Sequence, residues 1–373
     1  MKNKLVIISN ISTSLINFRG DLIKRWLELG FEVYTFAPKY KDDHQEILTD
    51  WGAKTVKYNL NRSGLNPFKD FNSIIDFKNK LKQIDPDYIF SYTIKPVIFS
   101  SLINKSLNLK GMYSLMPGLG YAFNNGGIKN KIVNKIAILL YKFSLKNNDK
   151  VFFQNPDDLD LFVDLNLIDK DKTVLVNGSG VDTEEFYNTK PQAENISFLI
   201  MARLLKSKGI KEYIEAARII KKEYPDVEFN ILGSPGSGPD AVPLDYVKKA
   251  DQDNIINYPG RVEDVKPFIA KNSVYVLPSY YREGTPRSIL EAMSMGKPII
   301  TTDNPGCRET VVEGKNGFLI PIKDHKNLAD KMRYFIENKN ASSAMGKESR
   351  RMAEEKYDVH KVNQKIIEEM NLQ

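Results

Sequence analysis

The sequence is poor in cysteine and histidine and has no long apolar run. Its one cysteine, Cys307, excludes an internal disulfide framework and fits a reducing cytosol. The three histidines, at positions 44, 325 and 360, form no cluster with the spacing of metal ligands, so we expect no metal or other cofactor. No run of 18 apolar residues could span a bilayer, and the N-terminal MKNKLVIISN predicts a first β-strand rather than a signal peptide. The composition therefore predicts a cytoplasmic globular protein.

The positive charge is unevenly distributed along the chain. Of the 54 basic and 47 acidic residues, 25 and 18 lie in residues 1–180, so the whole net charge of +7 comes from the first half. No recognisable nucleic-acid-binding module is present, and no basic patch is interleaved with aromatic residues. We therefore expect no nucleic-acid partner.

Short apolar, β-branched segments alternate with segments of helical periodicity, which predicts parallel sheets covered by helices. The predicted strands are 5–9, 32–37, 55–60, 88–92, 112–115, 151–154 and 174–177 in the first half, and 197–201, 228–232, 255–258, 274–277, 299–302 and 317–320 in the second. The polar stretch 185–195 between them predicts a linker. The fold class is thus α/β, with two Rossmann-like, doubly wound domains at 1–185 and 186–356 facing a cleft. The C-terminal helix 357–373 is expected to pack back on the first domain.

The stretch 279–300, SYYREGTPRSILEAMSMGKPII, contains two glutamates, Glu283 and Glu291, around a glycine turn. The apolar run before it and the amphipathic run after it predict a strand, a tight turn and a helix N-terminus, which together favour phosphate binding. Eight residues of helix span about 12 Å. That length suits a ligand with an anionic middle and hydroxyl-rich ends, such as a nucleotide sugar. A glutamate near a helix N-terminus is also favourable dipole chemistry, so the motif alone leaves both interpretations open.

A second motif, MARLLKSKGI at 201–210, follows a predicted strand and opens a helix. It places two cations, Arg203 and Lys208, at the carboxyl end of that strand, where open α/β sheets bind their ligands. Fixed cations there can stabilise the charge that builds on a departing diphosphate. An ordinary basic helix start is the alternative, although the helix dipole disfavours cations at that end.

These motifs together, with GSGVD at 178–182, resemble the family 4 retaining glycosyltransferases of the GT-B fold over nearly the whole chain. SYTIKPVIFSSL at 91–102 and PGLGYAF at 117–123 are similar to the branch that builds bacterial capsule, O-antigen or lipid-linked oligosaccharides on a polyprenyl diphosphate carrier. The resemblance implies that residues 1–185 bind the acceptor and residues 186–356 bind the nucleotide sugar. Proteins of this fold generally need no metal ion.

The resemblance also implies a role for each matching residue of the second half. Arg203, Lys208 and Glu283 are the predicted catalytic residues: the cations neutralise the diphosphate, and the carboxylate contacts hydroxyls of the donor hexose. Glu291 is expected to hold the ribose hydroxyls. The predicted nucleotide-sugar-binding residues are Glu291, Gly284, Thr285, Pro286, Ser288 and Gly233.

The first half departs from the family pattern at two places. Many relatives have a glycine pair after the first strand, where this chain has SNISTSL at 9–15, and many have a histidine near the reacting sugar. None of the three histidines here falls in a segment expected at the cleft. Lys95 is placed where that role could be filled, or where it could contact the acceptor diphosphate. The predicted acceptor or first-domain cleft residues are Ser12, Ser14, Arg19, Lys95 and Gly118, although an exposed helix start explains Arg19 equally well.

The segment 128–150, IKNKIVNKIAILLYKFSLKNNDK, is basic and amphipathic, with six lysines and one acidic residue, Asp149. Its apolar residues recur at helical spacing: Ile132, Ile136, Leu139, Leu140 and Phe143. A basic amphipathic helix can lie on an anionic membrane, and a core helix with solvated lysines is the alternative. We expect the apolar stripe to face inward and the lysines to face lipid headgroups.

The resemblance implies a retaining hexosyltransferase. It would move a hexose or N-acetylhexosamine from a nucleotide sugar, with UDP as the expected nucleotide, to a polyprenyl-diphosphate-linked saccharide at the inner face of the cell membrane. Two other classes remain open: a nucleotide-sugar epimerase or hydrolase of the same fold, and a non-enzymatic scaffold that kept the fold. The Arg203 and Lys208 pair favours diphosphate chemistry over hydrolysis by two carboxylates.

Overall fold

The computed structural model describes residues 2–60, 67–120, 128–187 and 195–372, with the backbone alone for residues 42, 67–69 and 128–133. The chain divides into two compact units. Unit 1 comprises Met1–Ser179 together with His360–Gln373, and unit 2 comprises Gly180–Val359. The division falls at residue 179, whereas the sequence places it at residue 185. Most of the predicted linker, residues 188–194, lies outside the described residues.

The described part of unit 1 is a parallel α/β layer structure with seven strands in the order β3-β2-β1-β4-β5-β6-β7. The strands are β1 Lys4–Ile8, β2 Glu32–Ala37, β3 Lys54–Lys57, β4 Tyr88–Tyr92, β5 Gly111–Met116, β6 Lys150–Phe153 and β7 Thr173–Leu175. The helices are α1 Ser12–Glu28, α2 Asp42–Asp50, α3 Pro67–Ile84, α4 Ile94–Ile103, α5 Ile128–Ser144, α6 Pro156–Asp164 and the C-terminal α13 Val359–Glu369.

Both faces of this sheet are covered, which explains why its strands are continuously apolar. In β1, Leu5 and Ile7 belong to the core on one face, and Val6 and Ile8 belong to the core on the other. The strand alternation therefore supplies two cores from one segment.

Unit 2 repeats this design within its described residues, with six parallel strands in the order β10-β9-β8-β11-β12-β13. The strands are β8 Ser197–Met201, β9 Glu228–Leu232, β10 Asn257–Gly260, β11 Val274–Leu277, β12 Ile299–Thr302 and β13 Gly317–Ile320. The helices are α7 Ile210–Glu223, α8 Leu244–Gln252, α9 Lys266–Lys271, α10 Arg287–Ser294, α11 His325–Glu337 and α12 Lys339–Met352. Every strand predicted from the sequence is present, with ends shifted by at most three residues.

The strand order reverses once in each sheet, and ligands of open α/β sheets bind at such points. In unit 1 the reversal lies at β1 and β4, whose carboxyl ends lead into residues 9–14 and 93–95. In unit 2 it lies at β8 and β11, whose carboxyl ends lead into residues 203–208 and 279–283. Six of the fourteen predicted site residues fall in these four segments and therefore lie at the two switch points: Ser12, Ser14, Lys95, Arg203, Lys208 and Glu283.

The C-terminal helix α13 belongs to unit 1. Val362, Ile366 and Ile367 join the core that also contains Leu22 and Trp26 of α1. Beyond the helix, the Tyr113 hydroxyl donates a hydrogen bond to the Met370 carbonyl oxygen at 2.9 Å. None of the helices in the described part of the chain combines the length and the apolar character needed to cross a bilayer.

Helix α5 differs from its predicted orientation. Its buried side chains include Ala137 and Tyr141, whereas Ile136, Leu139 and Phe143 are exposed. The prediction that the apolar stripe faces inward was therefore wrong for these three residues. The physical reason is that α5 has apolar residues around most of its circumference, so periodicity alone did not identify the buried side. The side chain of Ile132 lies outside the described ones.

Candidate functional site

The connection between β8 and α7 carries Arg203 and Lys208. A short 3₁₀ turn, Lys206–Lys208, ends at Gly209, which has φ 76° and precedes the first residue of α7. A Cβ atom at Gly209 would lie 2.2 Å from the Pro278 carbonyl oxygen, so only glycine lets this turn approach the end of β11. The Arg203 side chain is exposed, and Lys208 is half-buried.

The connection between β11 and α10 is attached to that turn by backbone hydrogen bonds. The N–H groups of Tyr280 and Tyr281 both donate to the Ser207 carbonyl oxygen, at 2.8 and 3.0 Å. The Ser279 hydroxyl lies 3.1 Å from the same oxygen and 3.0 Å from the Glu283 carboxylate, and its one proton can be donated to either acceptor. Glu283 is thereby positioned against the β8–α7 turn.

Lys208 and Glu283 form an ion pair, which brings together two of the three predicted catalytic residues. Their side chains are only 17% and 11% exposed. The Lys208 ammonium also lies 5.3 Å from the centroid of the Tyr281 ring, within the range of a cation–π contact. The described residues show no ion pair or hydrogen bond of the Arg203 guanidinium, so the structure does not join Arg203 to this pair.

A second loop packs on the Glu283–Gly284 turn from the carboxyl end of β12. Gly306 has φ 84°, and a Cβ atom there would lie 2.2 Å from the Gly284 carbonyl oxygen and 2.6 Å from that of Glu283. The Asn304 amide donates a hydrogen bond to the Tyr281 carbonyl oxygen at 2.7 Å. The neighbouring Cys307 thiol is fully buried, and burial together with the charge of Glu283 raises its pKa to about 12. This thiol is neutral and serves packing.

Helix α10 begins at Arg287, directly after the turn, and no side chain in the described residues caps its start. Glu291 lies one turn further along, where its carboxylate accepts a hydrogen bond from the Arg287 guanidinium at 2.9 Å. Burial raises the pKa of Glu291, and the charge of Arg287 opposes that rise. Each glutamate of the pair thus has a different cation as partner. This arrangement differs from that of an acid and base couple, in which two carboxyl groups act on the same bond of a substrate.

The other predicted nucleotide-sugar residues of unit 2 have these positions. Gly284, Thr285 and Pro286 are buried in the turn, and Ser288 is half-buried in the first turn of α10. Gly233 follows β9, and a Cβ atom there would lie 1.9 Å from the Ala202 carbonyl oxygen. Close packing of the β9 end on the β8 end therefore explains this glycine. A role in donor binding stays a prediction.

In unit 1, Ser14 belongs to a buried hydroxyl network at the end of β1. Its hydroxyl lies 2.7 Å from that of Ser9 and 3.0 Å from that of Tyr92, which ends β4. Tyr58 donates to the Ser9 carbonyl oxygen at 2.8 Å. Burial raises the pKa of Tyr92, so its hydroxyl keeps its proton. These contacts join the two strands of the switch point.

Ser12, at the start of α1, has a partner that sequence reasoning missed. Its hydroxyl lies 2.8 Å from Nδ1 of His44, a buried residue in the first turn of α2. His44 is not among the site residues predicted from the sequence, yet it contacts one of them. Only the sheet topology could have indicated this contact: β1 and β2 are adjacent and parallel, so the helices that follow them begin at the same edge of the sheet.

The side chains of Arg19 and Lys95 both contact other residues of unit 1. Arg19 lies in the middle of α1, is 2% exposed and has its guanidinium carbon 5.4 Å from the centroid of the Tyr92 ring. An exposed helix start is therefore the wrong interpretation of this residue. Lys95, in the first turn of α4, forms an ion pair with Asp70 of α3 at 2.6 Å.

The remaining first-half candidate is Gly118, which follows β5 with φ 103°. Residues 121–123 of the motif that contains it lie outside the described residues. Where the chain is described, no three His, Cys, Asp or Glu side chains gather into a set that could hold a metal ion.

Comparison with known proteins relates the second half of the chain to one family. Residues 181–352 match the family glycosyl transferases group 1. An N,N'-diacetylbacillosaminyl-diphospho-undecaprenol alpha-1,3-N-acetylgalactosaminyltransferase of Campylobacter jejuni is 26% identical, over 96% of each chain. A capsular polysaccharide biosynthesis glycosyltransferase, CapM of Staphylococcus aureus, is 30% identical over 50% of this chain and 51% of its own.

The solved structures agree on the fold. Anabaena Alr3699/HepE, crystallised in complex with UDP, superposes with a TM-score of 0.79 at 18% identity and covers 100% of both chains. The GT-B fold and the family resemblance expected from the sequence are thereby confirmed. The chain is a glycosyltransferase of the GT-B fold, and its residues 181–352 match the family glycosyl transferases group 1.

Proposed function

We propose that this enzyme moves a hexose or N-acetylhexosamine from a UDP-sugar to a saccharide linked to polyprenyl diphosphate, with retention of configuration. The observation that carries the proposal is the half-buried Lys208–Glu283 pair, held at the switch point of unit 2 by Ser207 and Ser279. It places a cation beside a hydroxyl-binding carboxylate. That combination suits the junction between a diphosphate and a sugar.

The reaction needs a stabilised leaving group more than a strong base. The bond between the anomeric carbon and the diphosphate oxygen breaks, and its electron pair stays on the diphosphate. The acceptor hydroxyl oxygen then bonds to the anomeric carbon from the same face, and its proton passes to the departing phosphate oxygen. Lys208 stabilises the negative charge that builds on this oxygen, and Arg203 supplies a second, exposed cation from the same connection.

Lys208 can keep its ion pair with Glu283 while it stabilises the charge on the departing phosphate oxygen. An ammonium group has three N–H donors, so one can remain with Glu283 while another reaches a diphosphate oxygen. Glu283 has two carboxylate oxygens with about four acceptor sites, so it can also accept from donor hydroxyls. The pair therefore holds both side chains ready before the donor arrives, which avoids part of the cost of ordering them on binding.

Donor recognition follows from the rest of unit 2. Glu291 is proposed to accept hydrogen bonds from the ribose hydroxyls, with Gly284, Thr285, Pro286 and Ser288 around the diphosphate and sugar and Gly233 near the nucleotide. The uridine nucleotide is favoured because HepE, which shares the fold, was solved with UDP. We propose that no metal ion or other cofactor takes part.

The acceptor side of the proposal rests on the relatives. The Campylobacter relative is named as acting on an undecaprenyl-diphosphate-linked sugar, and the Staphylococcus relative is named for capsule synthesis. We propose the same class of acceptor here, in cell-surface polysaccharide or glycan synthesis. Of the first-domain candidates, the half-buried Lys95 and Gly118 are the residues proposed to contact it, and the buried Ser12, Ser14 and Arg19 are proposed to support that surface from within. The enzyme would act at the cytoplasmic face of the membrane, through residues 128–150.

A donor and acceptor screen tests this function. The purified chain is incubated with a panel of UDP- and GDP-sugars and membranes that carry lipid-linked saccharides, and the anomeric configuration of the product is read by NMR. Transfer from one UDP-sugar, with the donor configuration retained, is the expected result. An inverted product overturns the retaining mechanism. Rapid donor consumption or epimerisation without acceptor supports the alternative class, and failure to bind any nucleotide sugar supports a non-enzymatic role.

A further inference from the structure

Three large apolar side chains of α5 point away from the core of unit 1. Ile136, Leu139 and Phe143 are 38%, 54% and 60% exposed. They are spaced by three and four residues, so they form one stripe along the helix. Single exposed apolar residues are common on protein surfaces, but a contiguous stripe of this kind marks an interaction site.

The same side of α5 also carries lysines. Lys135 and Lys142 of α5 are exposed, as is Lys146 in the 3₁₀ turn Leu145–Asn147 that directly follows it, and each lies next to a stripe residue or within three positions of one. The helix contains no aspartate or glutamate anywhere along residues 128–144. We call this surface, made of the three apolar and three lysine side chains, the outward face of α5. It combines exposed apolar area with positive charge that no acidic residue of the helix offsets.

The opposite side of α5 packs in the core of unit 1. Tyr141 is buried against Phe162, with the ring centroids 5.1 Å apart, and Ala137 belongs to the same core. The helix is therefore fixed in rotation, and the outward face is a permanent feature of unit 1. It does not require a conformational change to become available.

The end of α4 lies beside the end of this surface. The Asn104 amide and the Ser101 carbonyl oxygen are hydrogen-bonded to Asn147, which follows α5 closely. Next to these residues, Leu102 and Lys105 are both exposed. Leu102 and Lys105 thus add one exposed apolar side chain and one exposed lysine beside the C-terminal end of α5.

We propose that the outward face of α5 docks on an anionic lipid bilayer, with Ile136, Leu139 and Phe143 inserted among the lipids and the lysines at the phosphate groups. A helix with this arrangement lies parallel to the membrane at the boundary between headgroups and acyl chains. The lysines contribute attraction to anionic lipids, and the apolar side chains contribute burial. This is a mode of attachment distinct from the one expected from the sequence, in which only lysines meet the headgroups.

A second copy of the chain fits this face less well. In a two-fold symmetric dimer the same patch meets itself, so the lysines of one copy would approach those of the other. An anionic bilayer instead complements the charge and accepts the apolar side chains. The inference deepens the proposed function, because a lipid-linked acceptor requires an enzyme that works at the membrane surface.

Vesicle sedimentation tests the proposal with the full chain. The vesicles contain phosphatidylcholine alone or with phosphatidylglycerol, and binding is measured at two salt concentrations. The wild type is expected to bind the anionic vesicles and to lose binding as salt rises. The double variant Leu139→Gln/Phe143→Gln removes the apolar stripe while keeping good helix formers, and the triple variant Lys135→Gln/Lys142→Gln/Lys146→Gln removes the charge. Each is expected to bind at least about tenfold more weakly.

Matched controls come from unit 2. Ile322 is 50% exposed, and Lys248 is exposed. The variants Ile322→Gln and Lys248→Gln therefore remove an exposed apolar side chain and an exposed lysine from a surface outside α5. They should bind vesicles like the wild type, and thermal unfolding should show that all variants are folded. Equal vesicle binding by the α5 variants and the wild type overturns the proposal. So does a dimer, seen by ultracentrifugation, that the α5 variants abolish while the wild type leaves vesicles unbound.

The failure of this proposal and that of the proposed function are distinguishable. Transfer to a water-soluble, short-chain analogue of the acceptor does not need a bilayer. If α5 variants keep that transfer but lose vesicle binding, both proposals stand. If the wild type binds vesicles but transfers sugar to neither acceptor, the proposed function fails and the docking surface stands.

Discussion

The ammonium of Lys208 and the carboxylate of Glu283 hold each other in a half-buried position. Their contributions to catalysis should therefore not be independent. Removal of Lys208 takes away leaving-group stabilisation and also releases Glu283 from its partner. Removal of Glu283 takes away the carboxylate for the donor hydroxyls and also releases Lys208 from its partner. Residues that act as a unit give rate effects that do not add.

We predict that Lys208→Met lowers kcat by about 10²–10³-fold, because one preorganised charge contact at the leaving group is lost. Glu283→Gln should lower kcat as well, and the double variant should cost far less than the product of the two single effects. The control is Lys249→Met, which breaks the exposed Lys249–Asp253 pair of α8 and should leave kcat unchanged. Independent, multiplicative losses would show that the ion pair is not the functional unit.

The buried carboxyl of Glu291 should make donor binding depend on pH. Its pKa is raised by burial, so it takes up a proton at higher pH than an exposed glutamate does. Ribose hydroxyls donate to the ionised form, so binding favours loss of that proton. The Kd for a UDP-sugar should therefore rise as pH falls from 7.5 to 5.5.

The variant Glu291→Gln separates this effect from other titrations. Calorimetry should show weaker binding of the UDP-sugar at pH 7.5 and a nearly flat dependence on pH. A UDP-sugar is a suitable probe because its diphosphate, esterified at both ends, does not titrate in this range. If the variant keeps the slope of the wild type, another group is responsible for it.

At the scale of elements, the site depends on how closely loops approach one another. Gly306 presses on the Glu283–Gly284 turn, where any side chain would clash with two carbonyl oxygens. Its φ of 84° adds a cost for any other residue. We predict that Gly306→Ala lowers the free energy of unfolding by about 3 kcal/mol and reduces kcat by displacing Glu283.

Gly314 provides the matched control for this prediction. It has φ 73°, but a Cβ atom there would meet no atom within 4 Å. Gly314→Ala should therefore cost only the backbone strain, about 1 kcal/mol, and leave kcat unchanged. Urea unfolding and steady-state kinetics measure the two quantities. Equal effects of the two variants would mean that the contact with Glu283 and Gly284 has no consequence.

Many of the strands and turns were predictable from the sequence. The strands followed from short apolar, β-branched segments, and the turn before α10 followed from glycine and proline beside an amphipathic segment. The side of α5 that is buried did not follow, because Ile136 and Phe143 are as apolar as the residues facing the core. The contact between Ser12 and His44 did not follow either, since 32 residues separate its partners and only the sheet topology brings them together.

At the scale of the whole molecule, the chain does not divide into two consecutive halves. Unit 1 is closed by α13, and Ile366 is fully buried in its core beside α1. We predict that Ile366→Ala destabilises unit 1 by about 2–5 kcal/mol, as expected for a large-to-small substitution in a packed core. Amide exchange should become faster in β1 to β7 and stay unchanged in β8 to β13. The exposed neighbour Lys365→Ala should change neither set.

The position of α13 also sets an order of events during synthesis. Unit 2 is continuous from Gly180 to Val359, so all of it has been made before the last segment of unit 1, residues 360–373. Ribosomes add roughly 5–20 residues per second, so unit 1 waits roughly 10–35 s with Leu22 and Trp26 uncovered. The half that begins first is therefore finished last. During that interval a nascent chain offers chaperones an apolar surface that the completed enzyme conceals.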